Sequence, residues 1–235
     1  LKAVVEYVKA KNIPAVLQIQ TNCSLMTKEI AQYLFRNKVG IGVSLDGKPE
    51  INDKLRFLAN GKGATHATVE GMKILREEKI GIGITCVVTS QNVNELEGIV
   101  DFAYYFGNVR VLGFDILRGQ GRGKNLLPPT ETEMAEAMQR VYERADIYAK
   151  LSGIKLQITQ EKRVCSLIDG NANIFGHCFA MNGEAAFVDA SGRIYACSSL
   201  LDDENFYIGN VETGVDEALQ QTIASRIKKA MEKCL

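Results

Sequence analysis

The chain has 235 residues, 46% of them hydrophobic and 24% charged, which is typical of a globular protein with one large domain or two smaller ones. Its 28 basic and 28 acidic side chains balance, which argues against a global field that attracts nucleic acid or anionic lipid. No apolar run is long enough for a membrane span, and six cysteines without a secretion signal favour reduced thiols. We therefore expect a cytoplasmic protein that binds neither nucleic acid nor membrane.

The first part of the chain alternates predicted helices with predicted strands. The strands are near-continuous apolar runs rich in β-branched residues, which is typical of strands buried on both faces. Regular alternation with short links predicts a parallel sheet with right-handed crossovers. The predicted strands cover residues 15–20, 39–45, 81–89 and 109–117, and the predicted helices cover residues 1–11, 27–37, 65–79, 92–106 and 130–151. Residues 48–64 form a long polar stretch.

The regular alternation ends near residue 153, where we place a domain boundary. A short strand at residues 154–159 follows, and residues 184–188 and 193–196 predict a hairpin around Ser191-Gly192. A last helix is predicted over residues 216–233. The sequence therefore predicts two domains, residues 1–153 and 154–235.

Polar residues follow each strand of the predicted parallel sheet. The carboxyl ends of parallel strands meet at one rim, which is where such sheets bind ligands. Ser44 and Asp46 alternate to the same side of their strand, so the pair suits a ribose or an ammonium group. Taken alone, Asp46-Gly47 is more simply a turn. The polar segments at these strand ends are residues 21–22, 44–47, 89–92 and 115–118.

Three cysteines near the end of the chain suggest a metal site. The predicted hairpin around Gly192 places the thiol of Cys197 after its second strand, and Cys178 precedes the hairpin. Cys234 is the penultimate residue of the sequence. Zinc sites usually take four ligands from Cys-x-x-Cys pairs, and the sequence has no such pair. Iron–sulfur clusters typically take four thiolates, so these three cysteines predict an incomplete site. Cys165 is a candidate fourth ligand, whereas Cys86 is best interpreted as a core residue.

Taken in order, these residues resemble the radical S-adenosylmethionine (SAM) superfamily, and within it the members with a SPASM auxiliary-cluster domain. The resemblance covers nearly the whole chain, and it is strongest to anaerobic sulfatase-maturating enzymes and to maturases of ribosomally made peptides. The landmarks are Gln20-Thr21-Asn22, Ser44-Leu45-Asp46-Gly47, Asp53, Arg56, Gly61, Gly63, Val87-Val88-Thr89, Asn92, Cys178, Gly192, Cys197 and Ile208-Gly209-Asn210-Val211.

The resemblance implies an α/β fold: a partial (βα) barrel of the radical SAM type without its first strands, then the beginning of a small α+β SPASM domain. It implies S-adenosylmethionine beside a [4Fe–4S] cluster, which generates a 5′-deoxyadenosyl radical that modifies a peptide or protein. A reductant such as flavodoxin or ferredoxin would supply the electron. The implied cofactor-binding residues are Asn22, Ser44, Asp46 and Arg56, and the implied ligands of an auxiliary cluster are Cys178, Cys197 and Cys234.

The chain also departs from the family pattern. The Cys-x-x-x-Cys-x-x-Cys motif of the radical-generating cluster and the Gly-Gly-Glu segment are absent. We therefore expect a fragment of a longer enzyme, truncated at both ends and inactive alone. Cys23 stands where the family usually has glycine, and Ser191 stands where sulfatase-maturating enzymes carry a catalytic aspartate. Asp189 does not inherit that role, so the catalytic residue is not identified and a peptide maturase is favoured.

Two alternatives stay open at the level of the sequence. The first is a catalytically inactive barrel that acts as a peptide-binding or assembly scaffold. Its exposed strand edge at residues 15–20 would pair with a partner, or with a second copy to form a dimer. The second is an aldolase-like barrel without a cluster, in which the glycine-rich basic loop at residues 118–124 cradles an anion. That loop lacks the ending of a phosphate-binding loop, so a solvated loop is the simpler interpretation.

Overall fold

The computed structural model describes residues 1–170 and 178–231, in two compact units, Leu1–Lys162 and Arg163–Leu235. The sequence placed the boundary earlier, near residue 153. The strand after that point, Gln157–Ile158, pairs with the preceding strand of the first sheet and is therefore part of the first unit. That the units correspond to a radical SAM barrel and the beginning of a SPASM domain stays a prediction.

The first unit contains a parallel sheet with the strand order β1-β2-β3-β4-β5 in the described residues. The strands are β1 Gln18–Thr21, β2 Gly40–Ser44, β3 Ile82–Val88, β4 Val109–Ile116 and β5 Gln157–Ile158. The helices that precede or connect them are α1 Lys2–Ala10, α2 Lys28–Arg36, α3 Pro49–Leu55, α4 Thr65–Glu77, α5 Glu97–Phe106 and α6 Glu131–Ser152. The predicted α/β class and the predicted parallel sheet are confirmed.

The two faces of the sheet are packed differently. Ile82, Ile84 and Cys86 of β3 are buried in the hydrophobic core that the helices form on one face. Gly83 and Thr85 alternate with them and point to the more open face. On that face Gly42 pairs in register with Gly83, so adjacent strands carry no side chain there. The open face is therefore a shallow concave surface.

Local sequence signals explain where α6 begins and ends. The hydroxyl of Thr130 accepts a hydrogen bond from the backbone N–H of Glu133, and the Glu133 carboxylate accepts one from the Thr130 N–H, which is a capping box. Gly153 ends the helix in the left-handed conformation, with φ at 70°. One helix was not predicted, since α3 lies inside the polar stretch at residues 48–64. It begins with Pro49 in its first turn, where the missing N–H has no helical partner to lose.

The second unit contains an antiparallel sheet with the order β6-β7-β8-β9 in the described part of the chain. The predicted hairpin is confirmed as β6 and β7, and Asp189 closes its turn by accepting hydrogen bonds from the N–H groups of Ser191 and Arg193. The core of this unit contains Ile194, Ile208 and Ile223. The elements are β6 Phe187–Val188, β7 Arg193–Tyr195, β8 Tyr207–Asn210, β9 Gly214–Val215, α8 Phe179–Asn182 and α9 Glu217–Met231, and α7 Thr159–Ile168 spans the boundary between the units.

No helix in the described residues is long and apolar enough to cross a bilayer.

Candidate functional site at the carboxyl ends of the parallel strands

An ion pair between Asp46 and Arg56 forms the centre of the rim. Asp46 follows the end of β2 and is buried, and Arg56 follows the end of α3. Arg56 Nη2 donates to Asp46 Oδ1 at 3.0 Å, and Arg56 Nε lies 2.6 Å from Asp46 Oδ2. The Arg56 side chain is 28% exposed, compared with 6% for Asp46. The pair is therefore anchored on its acidic side and open on its basic side.

Residue 46 is bound at each of its polar groups. Its carboxylate Oδ1 also accepts the N–H of Val87 in β3 at 2.8 Å. The Oδ1 atom of Asn52 accepts the backbone N–H of Asp46 at 2.8 Å. The Nδ2 group of Asn92 donates to the backbone carbonyl of Asp46 at 2.8 Å. Buried polar groups are costly unless they are hydrogen-bonded, so these contacts explain how a carboxylate is tolerated here.

A second layer of hydrogen bonds holds Asn52, which is fully buried. Asn52 Nδ2 donates to Thr65 Oγ1 at 2.7 Å, and that hydroxyl donates to Asp53 Oδ1 at 2.6 Å. The Thr65 N–H donates to the same Asp53 oxygen at 2.8 Å. A Cβ atom on Gly63 would lie 2.0 Å from the Asp53 Cγ atom, so this close approach requires glycine. Three sequence landmarks, at positions 53, 56 and 63, thus belong to one structural network.

Asn92 links the ends of two neighbouring strands. Its Nδ2 group donates to the carbonyl of Val87 at 2.9 Å in addition to that of Asp46, and its Oδ1 atom accepts the N–H of Thr89 at 2.7 Å. Because the asparagine is 1% exposed, water does not compete for these bonds. The segment after β2 is therefore fixed to the segment after β3.

A cavity of about 450 Å³ opens beside the ion pair. Its polar lining includes Asp46, Arg56 and Thr89, and its walls are mostly apolar. An apolar cavity with a few convergent polar groups is the usual form of a small-molecule site. The other lining residues are Lys54, Leu55, Phe57, Val87, Leu117, Gly123, Asn125 and Leu126.

The other two predicted cofactor residues lie on the same side of the sheet but make different contacts. Ser44 Oγ accepts a hydrogen bond from Gln20 Nε2 at 3.0 Å across the strand pair. Asn22 Oδ1 accepts the N–H of Ser24 at 3.1 Å and its hydroxyl at 2.9 Å. Among the described residues, no hydrogen bond links Asn22 or Ser44 to the Asp46–Arg56 pair. That Asn22, Ser44, Asp46 and Arg56 bind a cofactor stays a prediction.

Sequence reasoning missed Asn52 and named Thr65 only as a possible helix start, whereas Asn92 was among the polar residues predicted at the rim. A usable signal existed for Asn52, because it stands directly before the landmark Asp53 in a polar stretch. No periodic pattern connects Asn52 with Thr65, so their contact was not predictable.

The predicted metal ligands belong to the second unit. Cys178 is exposed at the start of α8, and Cys197 is half-buried after β7. Cys234 lies outside the described residues. Within residues 1–170 and 178–231, no three histidine, cysteine, aspartate or glutamate side chains come together as a metal site. The assignment of Cys178, Cys197 and Cys234 as metal ligands stays a prediction.

Two buried thiols of the first unit behave as core groups. Burial raises the pKa of the Cys23 thiol to about 11, and it raises the pKa of the Cys86 thiol well above its ordinary value. Cys23 has φ at 61°, a left-handed conformation that favours glycine. This backbone geometry explains why the resembled family usually has glycine at that position.

The fold and the rim together define a class of protein. A parallel sheet with helices on one face, an open face on the other and polar groups at the carboxyl ends is a partial (βα) barrel, which is the fold that the predicted resemblance implies. Two solved structures share this fold. The chain superposes on anSMEcpe with bound AdoMet with a TM-score of 0.75 at 20% identity, over 94% of this chain and 62% of that one. It superposes on SuiB of Streptococcus suis with a TM-score of 0.63 at 15% identity, over 93% and 51%.

Curated relatives share sequence as well as fold. The chain is 34% identical over 182 residues to an uncharacterized protein of Methanocaldococcus jannaschii, covering 77% of this chain and 57% of that protein. It is 34% identical over 92 residues to a cysteine-type anaerobic sulfatase-maturating enzyme of Clostridium novyi, covering 39% and 25%. It is 39% identical over 98 residues to Fe-coproporphyrin III synthase of Methanosarcina barkeri, covering 40% and 23%.

The predicted resemblance to radical SAM maturases is confirmed by these relatives, and the predicted fold is confirmed by the solved structures. No protein-family model matches the chain. The alignments span at most 57% of the length of the three relatives. The two relatives whose names state an activity are enzymes.

Proposed function

We propose that the full-length protein is a radical SAM enzyme that modifies a peptide or protein, and that this chain supplies the rim where S-adenosylmethionine binds. The observation that carries the proposal is the anchored Asp46–Arg56 pair beside the cavity at the carboxyl ends of the strands. The confirmed resemblance to radical SAM maturases supports the same assignment.

Arg56 is the group that we expect to contact the cofactor directly. In the described part of the chain, its Nη1 group has no hydrogen-bond acceptor. A guanidinium fixed on one side by a carboxylate is suited to bind a second carboxylate, such as that of the methionine portion. On this proposal Asp46 acts through Arg56, and Ser44 and Asn22 offer polar atoms to the ribose or the ammonium group. The apolar walls of the cavity would exclude water from the adenine ring.

Reductive cleavage of S-adenosylmethionine, when it is bound beside a [4Fe–4S] cluster, supplies the hydrogen-abstracting radical. The 235 residues contain no Cys-x-x-x-Cys-x-x-Cys motif, so on this proposal residues outside them would hold that cluster. Cys178, Cys197 and Cys234 are proposed ligands of an auxiliary cluster, which also needs a further thiolate. Replacing Cys197 with serine in the full-length protein should lower its iron content, whereas an unchanged content would remove Cys197 from the ligand set.

A peptide or protein is the favoured substrate because two structural neighbours have been solved with peptides. One is anSMEcpe with the Kp18Cys peptide, and the other is SuiB with its precursor peptide SuiA.

A second candidate is a bulky non-peptide substrate. A cavity of about 600 Å³ on the open face is lined by several glycines, including Gly40, Gly42 and Gly83, and the Gln20 side chain lies against Gly42 and would have to move for a large planar molecule to enter. The name Fe-coproporphyrin III synthase, carried by one relative, fits this alternative.

The proposal also places the protein in the cytoplasm, with flavodoxin or ferredoxin as reductant. A dimer is proposed through the outer edge of β1, which pairs with no strand in the described residues. Light scattering over a hundredfold range of concentration would detect this dimer. A constant monomer mass would contradict it.

The test of the proposed function is an anaerobic assay on the full-length protein with dithionite and S-adenosylmethionine. We expect 5′-deoxyadenosine to form, and to form faster once the correct substrate is added. Absence of 5′-deoxyadenosine from an iron-loaded preparation would favour the inactive scaffold.

A further inference from the structure

We infer that Asn52 and Asn92 are positioning residues of the rim, which clamp the backbone of residue 46 so that its carboxylate presents Arg56 to a ligand carboxylate. The inference rests on the proposed function, since it concerns the same S-adenosylmethionine site.

Two amide side chains hold the two backbone polar groups of residue 46. Asn52 comes from α3 and takes the N–H, whereas Asn92 follows β3 and takes the carbonyl. Asn52 is 0% exposed and Asn92 is 1% exposed, so neither bond competes with water. Residue 46 is thereby held from both sides by groups that are themselves buried.

The orientation of each amide is dictated by its other partners. The Thr65 hydroxyl donates its hydrogen to the Asp53 carboxylate, so its oxygen has to accept from Asn52 Nδ2. Asn52 Oδ1 consequently faces the N–H of Asp46.

The same reasoning fixes Asn92. The N–H of Thr89 is a donor and therefore faces Asn92 Oδ1, which leaves Nδ2 for the carbonyls of Asp46 and Val87. Both amides are thus set by hydrogen bonds within the protein.

A fixed backbone at residue 46 also fixes the direction of its carboxylate. Asp46 Oδ1 accepts the Val87 N–H, and both carboxylate oxygens face the Arg56 guanidinium. The guanidinium lies at the cavity wall. Because a ligand then meets a group that is already ordered, less conformational entropy is lost on binding. Loss of either asparagine should weaken the binding of a ligand carboxylate to Arg56 without changing the walls of the cavity.

A pair of ligands separates positioning from general stability. S-adenosylmethionine has the amino-acid carboxylate, whereas 5′-methylthioadenosine has the adenine and the ribose but lacks that carboxylate. Because 5′-methylthioadenosine also lacks the ammonium group and the sulfonium charge, the ratio of their dissociation constants reports the whole amino-acid portion, in which the carboxylate is the group that Arg56 would bind. A defect that only loosens the fold would weaken both ligands and leave the ratio unchanged.

The experiment measures both dissociation constants by anaerobic equilibrium dialysis on the full-length protein. We expect the preference for S-adenosylmethionine over 5′-methylthioadenosine to fall about tenfold in Asn52→Ala and in Asn92→Ala, roughly the contribution of one strong hydrogen bond. The matched control is Asn108→Ala. Asn108 is also buried, but it directly precedes the amino end of β4, at the opposite end of the strand from the rim. Its Nδ2 group donates to the carbonyl of Ile80. Its loss should leave the ratio unchanged.

Thr65 supplies a milder pair of variants in case an asparagine variant does not fold. Thr65→Val removes the hydroxyl that orients Asn52, and it should lower the ratio about threefold. Thr65→Ser keeps the hydroxyl and should preserve the wild-type ratio. If Asn52→Ala and Thr65→Val both fold and both keep the wild-type ratio of dissociation constants, the positioning role is overturned. A wild-type protein that binds neither ligand would instead overturn the proposed function, and the inference with it.

Discussion

The two compact units differ in how firmly they hold the residues predicted to bind a cofactor. In the first unit, residue 46 is bound at its N–H, its carbonyl and both carboxylate oxygens. In the second unit, Cys178 is exposed and Cys197 is half-buried. The rim of the first unit is therefore organised by the polypeptide alone, whereas the thiols proposed as ligands in the second unit would be organised by the metal of the proposed cluster.

Thiol labelling is expected to show the largest difference between the units. Cys178 and Cys165 are exposed, whereas Cys23 and Cys86 are buried and burial raises their pKa values. Because the thiolate is the reactive form, Cys178 should be alkylated by iodoacetamide at least about 10³ times faster than Cys86 at pH 8. Mass spectrometry of quenched samples of the apo chain measures the rates. Equal rates would contradict the buried core of the first unit.

Removal of the Asp46 carboxylate tests whether the rim is held by buried interactions. Asp46→Ala leaves Arg56 and the Val87 N–H without their partner, so we expect a loss of roughly 3 kcal/mol of unfolding free energy. Urea denaturation measures it.

The matched control for that variant is Asp189→Ala. Asp189 accepts three hydrogen bonds in the hairpin turn of the second unit, at a site more open to water. Its removal should therefore lower the free energy of unfolding by less than the removal of Asp46 does. A larger loss of unfolding free energy in Asp189→Ala than in Asp46→Ala would contradict the view that the rim of the first unit is the more firmly held site.

A smaller effect is expected from alkaline titration of Cys23. Its pKa rises from the ordinary 9.0 to about 11 because burial disfavours the thiolate. The folded state then binds the proton more tightly than the unfolded state, so this stabilisation is complete below pH 9 and is lost as the pH rises through 11. We expect wild type to lose about 1–2 kcal/mol relative to Cys23→Ser over that interval, measured by urea denaturation at each pH. A constant difference between the two proteins would contradict the burial of the thiol.

The strands β2, β3 and β4 were predictable because each lies in a near-continuous apolar run between helical segments, whereas β1, Gln18–Thr21, is mostly polar and only overlaps the run predicted at residues 15–20. Helix α3 was not predictable, since it has 7 residues and its only aliphatic side chains, Ile51 and Leu55, are too few to establish a helical period. Its position depends on side-chain hydrogen bonds such as that of Asn52 with Thr65, and contacts between polar residues leave no periodic signal. The rim was predictable as a location, because polar residues follow each strand. The pattern of hydrogen bonds within the rim was not predictable. The distances between cysteines that lie far apart in sequence were not predictable either.

The central claim is that Arg56, held by Asp46, grips the carboxylate of S-adenosylmethionine. The most direct measurement compares the affinity of the iron-loaded full-length protein for S-adenosylmethionine with that of its Arg56→Ala variant, under anaerobic conditions. Because Arg56→Ala loses a charge-assisted contact, we expect its affinity to be about 100 times lower than that of the wild type. The control is Lys54→Ala, on the same cavity wall, whose affinity should lie closer to the wild-type value. An affinity in Arg56→Ala that equals the wild-type value would contradict the account.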